Sequence, residues 1–225
     1  MTQSLIEVRN ISKQYGQGDN AVVAVDAVSL ALDPGEVLLI MGPSGSGKTT
    51  LLSMMGCILT PTSGEVRVDG HDVGGLGEDA LPDLRRKHIG FVFQAFNLFP
   101  SLTAQENVEL VLRLKGADKA RLRTESLALL ETVGLAKRAN LYPADLSGGE
   151  KQRTALARAL AGNPPIILAD EPTANLDSRT GRDVLALLRN LAEQSNKGIA
   201  IVSHDPKAES LAHRVAVLED GRLVS

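Results

Sequence analysis

The sequence predicts an α/β fold in which a parallel sheet is interrupted by an inserted helical block. Three observations carry that expectation. Short apolar runs at Val37–Met41, Ile166–Ala169 and Gly198–Val202 have strand length but no polar alternation, as strands buried on both faces require. A glycine-rich loop joins the first of these runs to a helix-like stretch. Between the strands, Leu, Ala, Glu, Lys and Arg recur at helical spacing, so residues from about 95 to 163 read as an insertion into a core formed by 1–94 and 164–225.

In chain order, the first 40 residues read as strands. Val22–Val25 and Val28–Leu32 are β-branched and partly alternating, and they end at the turn residues Asp33-Pro34-Gly35-Glu36. The run Val37–Met41 follows, then the loop, then a helix over about Lys48–Met55. Gly64–Gly70 alternates like an edge strand, and Ile89–Phe93 is another strand. Helical spacing extends from about Thr103 to Gly134, and a further helix covers about Gly149–Leu160. Val184, Leu187, Leu188 and Leu191 then form one apolar helix stripe between two buried strands.

A chain of 225 residues with 43% hydrophobic and 23% charged side chains can bury a sizeable core, so general disorder is not expected. The balance of 24 Lys+Arg against 27 Asp+Glu gives a net charge of −3 and no compositional case for a nucleic-acid partner. Cys57 is the lone cysteine, which excludes an internal disulfide and fits a reducing compartment. Met1 to Glu7 show no basic start leading into an apolar run, so no secretory signal is expected, and no run of about 18 apolar residues predicts a membrane span.

Gly42-Pro43-Ser44-Gly45-Ser46-Gly47-Lys48-Thr49 fits the pattern G-x-x-x-x-G-K-[ST], directly after an expected strand and before an expected helix. Glycines let backbone N–H groups approach phosphate oxygens, and the helix N-terminus beginning near Lys48, Thr49 and Thr50 adds unpaired donors and a positive dipole end. Lys48 is placed to reach the β- and γ-phosphates, and the Thr49 hydroxyl to ligate Mg²⁺. Asp170 and Glu171 sit where a buried strand meets the carboxyl edge of the sheet, the edge at which open α/β sheets bind ligands. Asp170 suits the Mg²⁺ ion and its waters; Glu171 suits the general base that activates water. A third element, Ser147-Gly148-Gly149-Glu150, has capping-box spacing. Each glycine costs about 1 kcal/mol against alanine in a helix, so this pair reads either as bare N–H groups facing a second anion or as a purely structural cap.

The segment Leu146–Arg153 resembles the signature sequence of ATP-binding-cassette (ABC) ATPases, and other elements of that family stand in the expected order along the chain. The resemblance implies an ATP-hydrolysing core with an N-terminal antiparallel β subdomain and an inserted helical subdomain. It implies that Tyr15 stacks on adenine and that Gln94 senses Mg²⁺ and a transmembrane partner. Asp177 is implied to communicate across a dimer, and His204 to contact the γ-phosphate. In such ATPases two copies pair head to tail, with ATP between the phosphate loop of one and the signature helix of the other. Glu150 departs from the commoner glutamine and places a charge near that phosphate, although it caps equally well.

The resemblance further implies the ATP-binding subunit of a transporter, peripheral on the cytoplasmic face of the membrane through a separate permease. Phe96, Leu98 and Phe99 are candidates to line the groove that receives the permease. The chain is most similar to the lipoprotein-releasing, macrolide-efflux and cell-division branch, so export is expected. Importer ATPases and mechanical signalling remain the alternatives. A kinase would lack the Ser147–Arg153 signature.

Overall fold

The computed structural model describes residues 3–224; Met1, Thr2 and Ser225, and with the first two the start of the segment read for a leader, lie outside the described residues. Two sheets organise the chain. The smaller is antiparallel, in the order β2-β1-β4-β5, and combines β1 (Ile6–Tyr15), β2 (Val22–Leu32), β4 (Ser63–Val68) and β5 (His71–Asp72). The larger runs in the order β10-β9-β3-β8-β7-β6. It comprises β3 (Val37–Met41), β6 (Ile89–Val92), β7 (Ile166–Asp170), β8 (Gly198–Val202), β9 (Arg214–Glu219) and β10 (Arg222–Leu223). All its neighbouring strands are parallel except the β9–β10 hairpin.

The central strands explain why their sequences do not alternate. Val37 and Leu39 of β3 enter one buried cluster and Leu38 and Ile40 the other; Ile167 and Ala169 oppose Ile166 and Leu168 in β7, and Ile199 and Ile201 oppose Ala200 and Val202 in β8. Both faces of the sheet are covered, so the positions between them are apolar, and Asp170 follows only at the end of β7. One cluster lies beneath α1 (Lys48–Met55) and the antiparallel sheet. The other is closed by α3 (Ala104–Leu114), α4 (Leu122–Thr132), α5 (Gly148–Leu160) and α6 (Ser178–Ser195). The helices α3 to α5 fall between β6 and β7 in the chain, and the α6 stripe turns Val184, Leu188 and Leu191 inward, with Leu187 half-buried beside them.

Several expectations need correction. Val22–Val25 and Val28–Leu32 are not two strands but one, bent where its pairing with β1 shifts register near Ala27, which has a φ of 48°. The Gly64–Gly70 segment is not an edge: β4 pairs with β1 on one side and with the two-residue β5 on the other. Its exposed face, rather than an open edge, produces its alternation. The helix α2 (Leu81–His88) and the strands β9 and β10 were not read from the sequence at all.

Candidate functional site

The loop after β3 and the carboxyl ends of β6, β7 and β8 converge on one open pocket of about 600 Å³. Ser44, Gly45, Gly47, Lys48, Thr49, Thr50, Gln94, Glu171 and His204 line it, joined by Ala24 from β2. Gly47, the N-cap of α1, has φ 99°, and a Cβ there would stand 2.1 Å from the Ala24 carbonyl oxygen, so only glycine fits. It also provides no capping side chain. The first N–H groups of α1 therefore have neither an intrahelical acceptor nor a cap, which leaves them available to an anion. Lys48 Nζ donates to the carbonyl oxygens of Gly42 (2.9 Å) and Pro43 (2.7 Å), folding its charge back over the loop. Ser46 Oγ is buried, with no partner among the described residues.

At the opposite wall, Thr49 Oγ1 donates to Asp170 Oδ1 at 3.1 Å. Burial raises the Asp170 carboxyl above its usual range, the nearby Glu171 charge adds to this, and the Thr49 hydrogen bond and Lys48 oppose it. This oxygen pair, with Gln94 among the residues that line the pocket beside Thr49, suits Mg²⁺, which takes few protein oxygens and completes its shell with water and phosphate. Glu171 stands one residue beyond β7 at φ 45°, an uncommon backbone for a carboxylate, held by Glu171 N donating to the Val202 carbonyl at 2.9 Å. Its Oε1 lies 2.8 Å from His204 Nδ1, so a carboxylate with 13% of its side chain exposed is oriented by an imidazole that is 67% exposed.

The signature-like segment is a real helix start. Ser147 Oγ accepts from the Glu150 N–H, and Glu150 Oε2 accepts from Ser147 N and Oγ, each at 2.9 Å. Gly149 has a packing reason as well: an added Cβ would lie 2.2 Å from Thr180 Cγ2 of α6. Ser147, Gly148, Gly149 and Glu150 are absent from the walls of the phosphate-loop pocket of their own chain. Asp177 caps α6 by accepting from the N–H groups of Arg179 and Thr180, and it borders a second hollow of about 340 Å³ that shares Glu171 and His204 with the first. Tyr15 is 45% exposed at the end of β1, beneath Lys13, whose Nζ is 5.6 Å from the ring centre; it lies outside the pocket walls. A separate groove of about 310 Å³ is lined by Phe91, Phe93, Phe99, Lys115 and Arg158; Phe96 and Leu98 are not among its walls.

Residues that bind the site together across long sequence gaps escaped the sequence reading. Asn175 Nδ2 donates to the Gln94 carbonyl at 2.9 Å, linking the loops after β7 and β6. Arg158 of α5 donates to the carbonyls of Phe96 and Asn97, both with positive φ, and so fixes the chain just past Gln94. Arg138 Nε meets Glu150 Oε1 at 2.8 Å.

The sequence profile described as ABC transporter matches residues 25–174. The chain is 44% identical over 225 residues to the macrolide export ATP-binding/permease protein MacB of Sodalis glossinidius, covering 100% of this chain and 34% of that protein. It therefore spans about a third of the length of that relative. It is 46% identical over 223 residues to MJ0796, described as an uncharacterized ABC transporter ATP-binding protein of Methanocaldococcus jannaschii, covering 97% of this chain and 95% of that one. A dimeric, post-hydrolysis structure of the MJ0796 cassette bound to ADP and Pi superposes with a TM-score of 0.90 at 44% identity, covering 98% of this chain and 97% of the other.

Proposed function

The chain belongs to the ABC transporter family, and from that premise we propose that it hydrolyses Mg-ATP within a head-to-tail pair of copies and powers a membrane permease. The observation that carries this reading is a division of labour within one chain. Lys48, Thr49, Glu171 and His204 line the pocket, with Asp170 hydrogen-bonded to Thr49 at its edge, whereas the anion-facing cap at Ser147 stands outside it. A site built in halves calls for a second copy. The dimeric MJ0796 cassettes, one with ADP and Pi, support the same arrangement.

On ATP binding, Lys48 exchanges the Gly42 and Pro43 carbonyl oxygens for phosphate oxygens, and the N–H groups of the glycine-rich loop from Ser44 to Gly47, together with those of Thr49 and Thr50, cradle the phosphates. Pro43, Ser44 and Ser46 shape that cradle. Thr49, Asp170 and Gln94 would hold Mg²⁺, which supplies charge neutralisation at the β- and γ-phosphate oxygens. Glu171 accepts a proton from the attacking water while His204 fixes its carboxylate plane. Tyr15 stacks on the adenine from outside the walls seen here. Ser147, Gly148 and Gly149 of the second copy close on the γ-phosphate, Glu150 holds that cap, and Asp177 lies where the two copies meet. Hydrolysis splits the shared anion and loosens the pair.

No helix among the described residues is long and apolar enough to cross a membrane, and the MacB relatives are described as ATP-binding and permease proteins in one chain. These support a permease as the partner, with this subunit peripheral on its cytoplasmic side. The block at about 95–163 acts as a helical lobe on the ATP-binding core. Its groove, with Phe99 half-exposed, receives the permease. The macrolide-export relatives favour export over import.

Steady-state hydrolysis tests the catalytic half of the reading. Glu171→Gln is expected to lower turnover by roughly 100-fold or more while ATP still binds, and Lys48→Ala to weaken ATP binding itself. Unchanged turnover in Glu171→Gln would remove the general-base assignment.

A further inference from the structure

The signature cap carries a charge that its role does not need. Glu150 stands in the first turn of α5, and its Oε2 accepts hydrogen bonds from the Ser147 hydroxyl and the Ser147 N–H. An arriving phosphate at Ser147 is therefore one hydrogen bond from a carboxylate. The two Ser147 hydrogen bonds, with Arg138 as a further cause, hold the Glu150 carboxyl below its usual range, so the negative charge is present at neutral pH. Left alone, it would oppose the attraction that the helix N-terminus exerts on an anion.

The structure supplies a counter-charge from elsewhere in the chain. Arg138 closes a tight turn over Ala136–Arg138, anchored by the buried Leu135 and Ala139 on either side, and its Nε contacts Glu150 Oε1 at 2.8 Å. Oε1 is thus drawn toward the turn while Oε2 stays on the cap. The pair is unequal in exposure, with 54% of the Arg138 side chain and 17% of the Glu150 side chain accessible. An ordinary surface pair would matter little, but this one is attached to the group that must meet a triphosphate.

We infer that Arg138 is a positioning residue for the ATP-bound pair: it neutralises and orients Glu150 so that the Ser147 cap of one copy can accept the γ-phosphate held by the other. This rests on the paired reading above. Arg138 itself touches no nucleotide in this scheme. It acts through Glu150, so its importance must disappear when position 150 carries no charge.

That conditional dependence is the test. In the hydrolysis-impaired Glu171→Gln parent, the ATP concentration giving half-maximal dimer is measured by light scattering after size exclusion. Arg138→Met is expected to raise it roughly three- to tenfold, and Arg138→Lys to stay within about twofold of the parent. With Glu150→Gln also present, the same Arg138→Met change is expected to move the midpoint less than about twofold. Binding of fluorescent ATP to the monomer, which uses neither Arg138 nor the Ser147 cap, reports whether the fold is intact in each variant. An equal shift in both backgrounds would mean that Arg138 acts on the fold or on ATP directly, and no shift in either would mean that the pair is ornamental; both results overturn the inference. A parent that stays monomeric at saturating ATP removes the paired reading itself. A parent that dimerises while Arg138→Met follows its curve removes only the role of Arg138.

Discussion

Lys115 and Lys197 show how single residues here are shaped by what surrounds them. Lys197 is 4% exposed and bonds to Asn163 Oδ1 and the Pro164 carbonyl, each at 2.7 Å. Lys115 Nζ is buried with no partner among the described residues, and burial, helped by the Lys197 charge, lowers it to about 8 from 10.5. A lowered lysine opposes the fold when charged: the unfolded chain keeps its proton up to about 10.5 while the folded chain has released it above about 8. Unfolding then takes up a proton, so stability should rise as pH climbs through that window. Lys115→Met is expected to raise stability at pH 7 by about 1 kcal/mol and to flatten that rise, as thermal unfolding at several pH values would show. A less stable variant would mean that Lys115 has a partner when folded. The residues proposed for the ATP site are of a different kind: Lys48, Asp170 and Glu171 are each singled out in the sequence by their immediate neighbours. Arg138 and Arg158 are not, since nothing local marks a partner 12 or 61 positions away.

Elements were legible in proportion to how completely they are buried. The strands β3 and β8 and the helix α1 match their expected bounds because apolar runs and a phosphate-loop boundary leave little choice. The misses are elements whose pattern is diluted. The helix α2 has only Leu84 buried, and β9 mixes Arg214 and Glu219 with alternating Ala216 and Leu218. Glycine at 149 was read for its bare N–H, and the structure adds close packing of α5 on α6. Gly149→Ala should therefore cost about 1–3 kcal/mol through its contact with the Thr180 methyl, and Thr180→Ser should recover part of that loss, measured by denaturant unfolding. If the two changes simply add, the contact between α5 and α6 is not the cause. The α3 and α5 starts both carry full capping boxes, at Thr103–Glu106 and Ser147–Glu150, yet only the second faces an open anion site in the proposed pair. Spacing identified the cap at Ser147, while its use depends on a surface that the sequence does not display.

For the whole molecule, two sheets bring the phosphate loop and the acidic strand end together and leave the signature cap on a different part of the surface. The order β10-β9-β3-β8-β7-β6 seats the loop after β3 beside β8 and, one strand further, β7, so Lys48, Asp170, Glu171 and His204 converge although they span more than 150 positions. Ser147 is not among the residues that line that pocket. The central claim is that ATP completes the site by joining two copies. The most direct measurement is the mass of the Glu171→Gln protein by light scattering, with and without saturating Mg-ATP. The account predicts a monomer without nucleotide, a dimer with it, and loss of that dimer when Ser147→Arg blocks the cap. A protein that stays monomeric with ATP bound, or a dimer indifferent to Ser147→Arg, would contradict it.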